Sequence, residues 1–178
     1  MFFEYYERGV NMKKADRITL SGLLTIVYVV ILIWIILFKM SSLGEIGELD
    51  QIRSINLIPF HYDTEVNSHF DEVVWNIIIF IPLGVYLKLL KKGTSFSILF
   101  GAGLSLLFEM LQYLIGIGAT DITDFITNTS GTIIGVGIYL VLSLFFRQQE
   151  KLDKILNILA LAGTLLFGAF VILIFAFN

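Results

Sequence analysis

The chain has 178 residues, of which 57% are apolar and 15% charged, with a net charge of -3. A soluble domain carries about a quarter charged residues, so this composition excludes an ordinary water-soluble fold and points to lipid. The absence of cysteine excludes disulfides, thiol nucleophiles and cysteine metal sites, and the small net charge gives no sign of nucleic acid as a partner.

Five apolar stretches follow one another, at about 18–38, 73–90, 95–117, 126–146 and 155–177. A bilayer core of about 30 Å needs roughly 20 helical residues, and lipid offers the backbone no hydrogen bonds. Each stretch therefore predicts a transmembrane helix. The expected architecture is an all-α, polytopic bundle of five transmembrane helices, a single membrane domain over 18–178. Residues 1–17 form an N-terminal segment. Within it Met12-Lys13-Lys14 reads like an ordinary bacterial start, and no function is assigned to the residues before Met12. The first stretch has no small-residue cleavage motif near Lys39–Ser42, so it reads as a retained anchor rather than a signal peptide. Residues 39–72 form the largest exposed loop. At its centre, Arg53 to Phe60 mixes apolar anchors, polar groups and a proline, which suits a segment lying in the interface or dipping between helices. The second stretch is the shortest; Leu89 and Leu90 extend it, and Lys88 can snorkel to the interface. The Lys88–Thr94 and Gly116–Thr120 links are short, making helices two and three, and three and four, antiparallel neighbours. In the fourth stretch Gly131-x3-Gly135 is a small-residue pattern for close helix contact.

Orientation follows from lysine and arginine. With the N-terminus inside, the cytoplasmic segments hold Arg8, Lys13, Lys14, Arg17, Lys88, Lys91, Lys92, Arg147, Lys151 and Lys154, and the outer segments only Lys39 and Arg53. The expectation is a cytoplasmic N-terminus and an extracellular C-terminus.

Polar residues inside the spans are few and share a depth. Apart from Lys88 at the end of the second stretch, Glu109 is the only formal charge within the five stretches, and Gln112 follows it at i+3 on the same helix face. Asp121-x2-Asp124-x3-Asn128 opens the fourth helix on one face, with Asp121 suited to the N-cap and Asp124 to N3. Asn76 sits one turn inside the second helix and is expected to face its neighbours. Arg53, one of two outer cations, precedes Asn56 in the loop above them and is the natural partner of Glu109 or Asp124. These eight residues, Arg53, Asn56, Asn76, Glu109, Gln112, Asp121, Asp124 and Asn128, are the candidate pocket, outward-facing and acidic. Capping and helix–helix hydrogen bonding explain part of the same pattern. His61 and His69 with Asp63 and Asp71 match no trusted ligand spacing and read as a solvated loop. No phosphate loop, zinc-protease motif or nucleophile elbow is present, and neither a cofactor nor a metal is expected.

Three runs carry a family resemblance: Arg53-x2-Asn56-Leu57-Ile58-Pro59-Phe60; Asn76-x3-Phe80-x-Pro82-Leu83-Gly84; and Glu109-x2-Gln112 followed by Asp121-x2-Asp124-x3-Asn128-x2-Gly131-x3-Gly135. Together they resemble the VanZ-like membrane proteins, in order and spacing, over about Arg53 to Tyr139. The resemblance implies a multi-pass protein of the bacterial plasma membrane that lowers susceptibility to teicoplanin-type lipoglycopeptides. It supplies no catalytic assignment. Membrane lipids, a lipoglycopeptide or a lipid-linked cell-wall precursor are the partners it suggests. Two classes of function fit: a binding or occlusion factor, and a small membrane enzyme using Glu109 with Asp121 or Asp124 for acid–base or metal-assisted chemistry on a lipid-linked substrate.

Overall fold

The structure, a computed structural model, describes residues 2–37, 54–60, 66–116 and 120–177, with side chains over 19–37, 54–60, 70–116 and 120–170. In chain order it contains α1 (Phe2–Leu37), β1 (Ile55–Asn56), α2 (Val66–Leu89), α3 (Thr94–Ile115), β2 (Thr120–Asp121), α4 (Ile122–Phe145) and α5 (Gln149–Phe177). Each of the five helices holds a stretch long and apolar enough to cross a bilayer. Four helices begin well before the apolar run that marks them. α1 starts at Phe2 rather than near Ile18, so the expected N-terminal segment 1–17 continues the first helix; α2 starts at Val66 rather than near Val73, α4 at Ile122 rather than near Ile126, and α5 at Gln149 rather than near Ile155. Hydropathy registers the lipid-facing part of a helix, whereas the backbone ladder propagates through polar residues until a cap or breaker stops it. For α4 the stop is Asp121, whose carboxylate accepts the Thr123 amide at 2.7 Å.

Lipid tails are as apolar as leucine, so burial alone does not drive these helices together; close backbone approach does. The tightest approach joins α2 to α4, two helices that are not consecutive. A Cβ on Gly131 would lie 2.3 Å from the Ile77 carbonyl oxygen, one on Gly135 2.0 Å from that of Ile81, and one on Gly84 2.3 Å from that of Thr132. Glycine at all three positions lets the two backbones touch. Around this seam Leu32, Leu37, Phe80, Leu83, Leu87 and Phe108 form a buried cluster, with Phe80 and Phe108 edge to face at 6.4 Å. α1 packs on α2 and on α5, where Ser21 Oγ donates to Asn157 Oδ1 at 3.0 Å.

The two ends of the bundle differ chemically. One end gathers lysines. There Lys91, at φ 59° in the turn after α2, pairs with Asp153 at the start of α5 and donates to the Tyr139 hydroxyl at 3.1 Å. Tyr139 in turn donates to Asp153 at 2.9 Å. Burial works to lower the Lys91 pKa, but its hydrogen bonds to Asp153 and Tyr139 and the Asp153 charge outweigh it and hold it above the ordinary lysine value. The opposite end gathers carboxylates and amides.

Candidate functional site

At the carboxylate end a two-residue parallel bridge pairs Ile55 with Thr120 and Asn56 with Asp121. It ties the segment before α2 to the link between α3 and α4. The Thr120 amide donates to the Ser54 carbonyl at 2.9 Å. Asn56 Nδ2 donates to Asp121 Oδ2 at 3.1 Å, while Asp121 Oδ1 caps α4. Glu109 is 2% exposed. Its Oε2 accepts the Asp121 backbone amide at 2.8 Å, and its backbone carbonyl accepts the Thr120 hydroxyl at 3.1 Å. Glu109 therefore latches the end of α3 to the entrance of α4. The chain turns away through Phe60, at φ 56°, whose amide donates to Thr123 Oγ1 at 3.1 Å. Leu57, Ile58 and Phe60 are left exposed on this tip, the disposition of a segment that rests in an apolar interface.

A second set of polar residues lies beside the latch. Asn76 Nδ2 donates to Asp124 Oδ1 at 2.7 Å, joining α2 to α4. Gln112 Nε2 donates to the Ile36 carbonyl at 3.0 Å, joining α3 to α1. These residues and Glu72 line a half-open cavity of about 660 Å³, walled by Trp75, Phe167 and Phe170 among others. The volume is that of a small-molecule site, mostly apolar with a few convergent polar groups. The orientation of the Gln112 amide is fixed, because only its NH2 can face the Ile36 carbonyl. Its Oε1 is then a buried acceptor without a partner. Such an acceptor favours a ligand that brings an N–H or O–H.

The candidate residues thus fall into three groups. Asn56, Glu109 and Asp121 form the latch; Asn76, Gln112 and Asp124 line the cavity. Asn128 is buried deeper in the α3–α4 contact, where its Nδ2 donates to Ser105 Oγ at 3.1 Å. Arg53, His61 and Asp63 lie outside the described residues, as does the His69 side chain. Among the described residues no group of three or more His, Asp or Glu is arranged to hold a metal ion. Seven of the ten cavity residues were not candidates from sequence, among them Glu72, Trp75, Phe167 and Phe170. The spacing of four between Glu72 and Asn76 was the available signal for the first, since it puts both on one helix face. Nothing in the apolar C-terminal half of α5 distinguishes Phe167 and Phe170 from their neighbours.

The VanZ/LLP1 family model matches residues 25–147, a segment that contains the latch and the Asn76–Asp124 pair. Protein VanZ of Enterococcus faecium is 41% identical over 143 residues, covering 79% of this chain and 84% of that relative. No solved structure matches the chain. A family match over most of the chain, together with five membrane-length helices, makes this protein a member of the VanZ/LLP1 family and a multi-pass protein of the bacterial membrane.

Proposed function

We propose that this protein lowers bacterial susceptibility to teicoplanin-type lipoglycopeptides, and that the cavity at the carboxylate end is where it does so. On this reading the cavity opens outward at the depth of the outer leaflet. It binds or occludes an antibiotic or lipid-linked cell-wall ligand delivered by the membrane. The observation that carries the reading is the composition of that cavity: Glu72, Asn76, Gln112 and Asp124 at one end and aromatic walls beside them. Such a lining suits an amphiphile with a hydrogen-bonding head. The excess of lysine and arginine at the opposite end supports an outward-facing cavity, a cytoplasmic N-terminus and an extracellular C-terminus.

The test is a susceptibility comparison in a sensitive host expressing the wild-type chain or Asp124→Asn. The substitution keeps the size of the side chain and removes its charge. At matched membrane abundance, the wild type should protect against teicoplanin and much less against tail-less vancomycin, and Asp124→Asn should lose the difference. Undiminished protection from both Asp124→Asn and the double variant Asn76→Ala/Asp124→Asn would remove the cavity from the mechanism. Equal protection against the two drugs would replace membrane-level action with altered wall chemistry.

A further inference from the structure

A second, apolar groove runs beside the cavity. It lies between α1, α2 and α5 and has a volume of about 380 Å³. Ile35, Ile79 and Phe167 line both spaces, so the groove continues the cavity toward the lysine end. On α1 it extends from Ile35 to Tyr28, and on α2 from Ile78 to Tyr86. At 1.5 Å per helical residue this is a length of roughly 10–12 Å. The deep end holds Tyr28 and Tyr86, whose rings pack at 5.2 Å, with the Tyr28 hydroxyl donating to the Ile79 carbonyl. On the α5 side, Ala160, Gly163 and Thr164 keep the wall shallow.

We infer that this groove holds the acyl chain of an amphiphile whose head occupies the adjoining cavity and donates a hydrogen bond to Gln112. The inference rests on reading the cavity as a ligand site, and it names the class of ligand. Two observations lead to it. The groove and the cavity share three lining residues, so one molecule can span an apolar channel and a polar mouth. Gln112 lines the cavity and its buried Oε1 has no protein partner, which favours a head that carries an N–H or O–H. A lipid whose head only accepts hydrogen bonds leaves that atom unsatisfied. Because lipid tails solvate a chain as well as leucine does, the groove itself adds little affinity. It orients the chain, and the head supplies the selection.

The experiment uses the full-length protein in phosphatidylcholine nanodiscs with two photoreactive probes. One is an N-acylethanolamine with a diazirine at the chain end, whose head has both N–H and O–H. The other is a phosphatidylcholine with the same chain-end diazirine and no donor. The N-acylethanolamine should crosslink to α2 between Ile78 and Tyr86 and to α5 between Leu159 and Thr164. The phosphatidylcholine should mark lipid-facing positions such as Leu144 and Leu166. One net hydrogen bond corresponds to about a twofold to tenfold preference in groove labelling for the donor-bearing probe.

Gly163→Phe plugs the groove. A Cβ there meets nothing within 4 Å and Gly163 lines the groove, so the side chain starts in open space and groove labelling should disappear. Ala160→Trp serves as a second plug if the first lowers thermal stability. Even labelling of all lipid-facing residues, or groove labelling that survives both plugs, would overturn the inference. The susceptibility test separates its fate from that of the proposed function. Loss of protection in Asp124→Asn without groove labelling leaves the cavity reading standing and removes the acyl groove. Groove labelling with undiminished protection in the cavity variants does the reverse.

Discussion

Replacing Gly135 by alanine should force α2 and α4 apart. The added Cβ would sit 2.0 Å from the Ile81 carbonyl oxygen and 3.1 Å from Gly84 Cα, against about 3.4 Å for ordinary contact. The shortfall is about 1.4 Å, and the obstacles are backbone atoms of a packed helix rather than a mobile side-chain tip. Overpacking costs about 1–3 kcal/mol, and rigid neighbours place this case at about 3 kcal/mol. For a chain of this size that is a fall of roughly 6–12 °C in melting midpoint. The same displacement stretches the 2.7 Å Asn76–Asp124 bond, which crosses the same helix pair. Gly137→Ala is the matched control. A Cβ at Gly137 meets nothing within 4 Å, and alanine favours helix over glycine by up to about 1 kcal/mol. Thermal unfolding in one detergent, followed by the fluorescence of Trp34 and Trp75, reads both variants. A Gly135→Ala midpoint equal to or above that of Gly137→Ala would refute the glycine seam.

Two further predictions concern the latch and the lysine end. Glu109→Gln keeps an acceptor for the Asp121 amide and should melt close to wild type. Glu109→Leu strands that amide and should cost about 1–3 kcal/mol, read by the same assay; equal midpoints for the two variants would show that the latch contributes nothing. The Lys91–Asp153 pair predicts a loss of stability in strong base. A lysine pKa raised by folding stabilises fully below the ordinary value of 10.5 and loses that contribution as pH climbs through the raised one. Melting midpoints from pH 8 to 11 should fall more steeply for wild type than for Asp153→Asn, and parallel curves would contradict the pairing.

The five helices were legible because four of their apolar runs meet bilayer length outright and the shortest does so once extended. The cap at Asp121 was legible because its sequence position and chemistry are local. Other features needed the third dimension. Gly131-x3-Gly135 signals a close contact, but only the fold shows that its partner is α2, which the short links had not singled out. Asn76, Gln112 and Asp124 were recognisable by shared depth. The aromatic walls from α5 were not, because the all-apolar run 165–177 carries no mark of which face meets protein. Glu109 illustrates a different limit. Its expected side-chain partner, Arg53, lies outside the described residues, and the donor it meets is a backbone amide. Backbone donors are invisible in an inventory of side chains.

A cavity that faces outward is reachable from outside the cell, and the natural absence of cysteine makes this directly testable. Glu72→Cys places one thiol at an exposed position at the cavity mouth, and Lys92→Cys places one at the opposite end of the bundle. Intact cells are treated with a membrane-impermeant maleimide, before and after permeabilisation. With the cavity outward, the residue-72 thiol should be labelled in intact cells and the residue-92 thiol only after permeabilisation. The reverse pattern would turn the cavity to the cytoplasm and contradict any action on ligands in the outer leaflet.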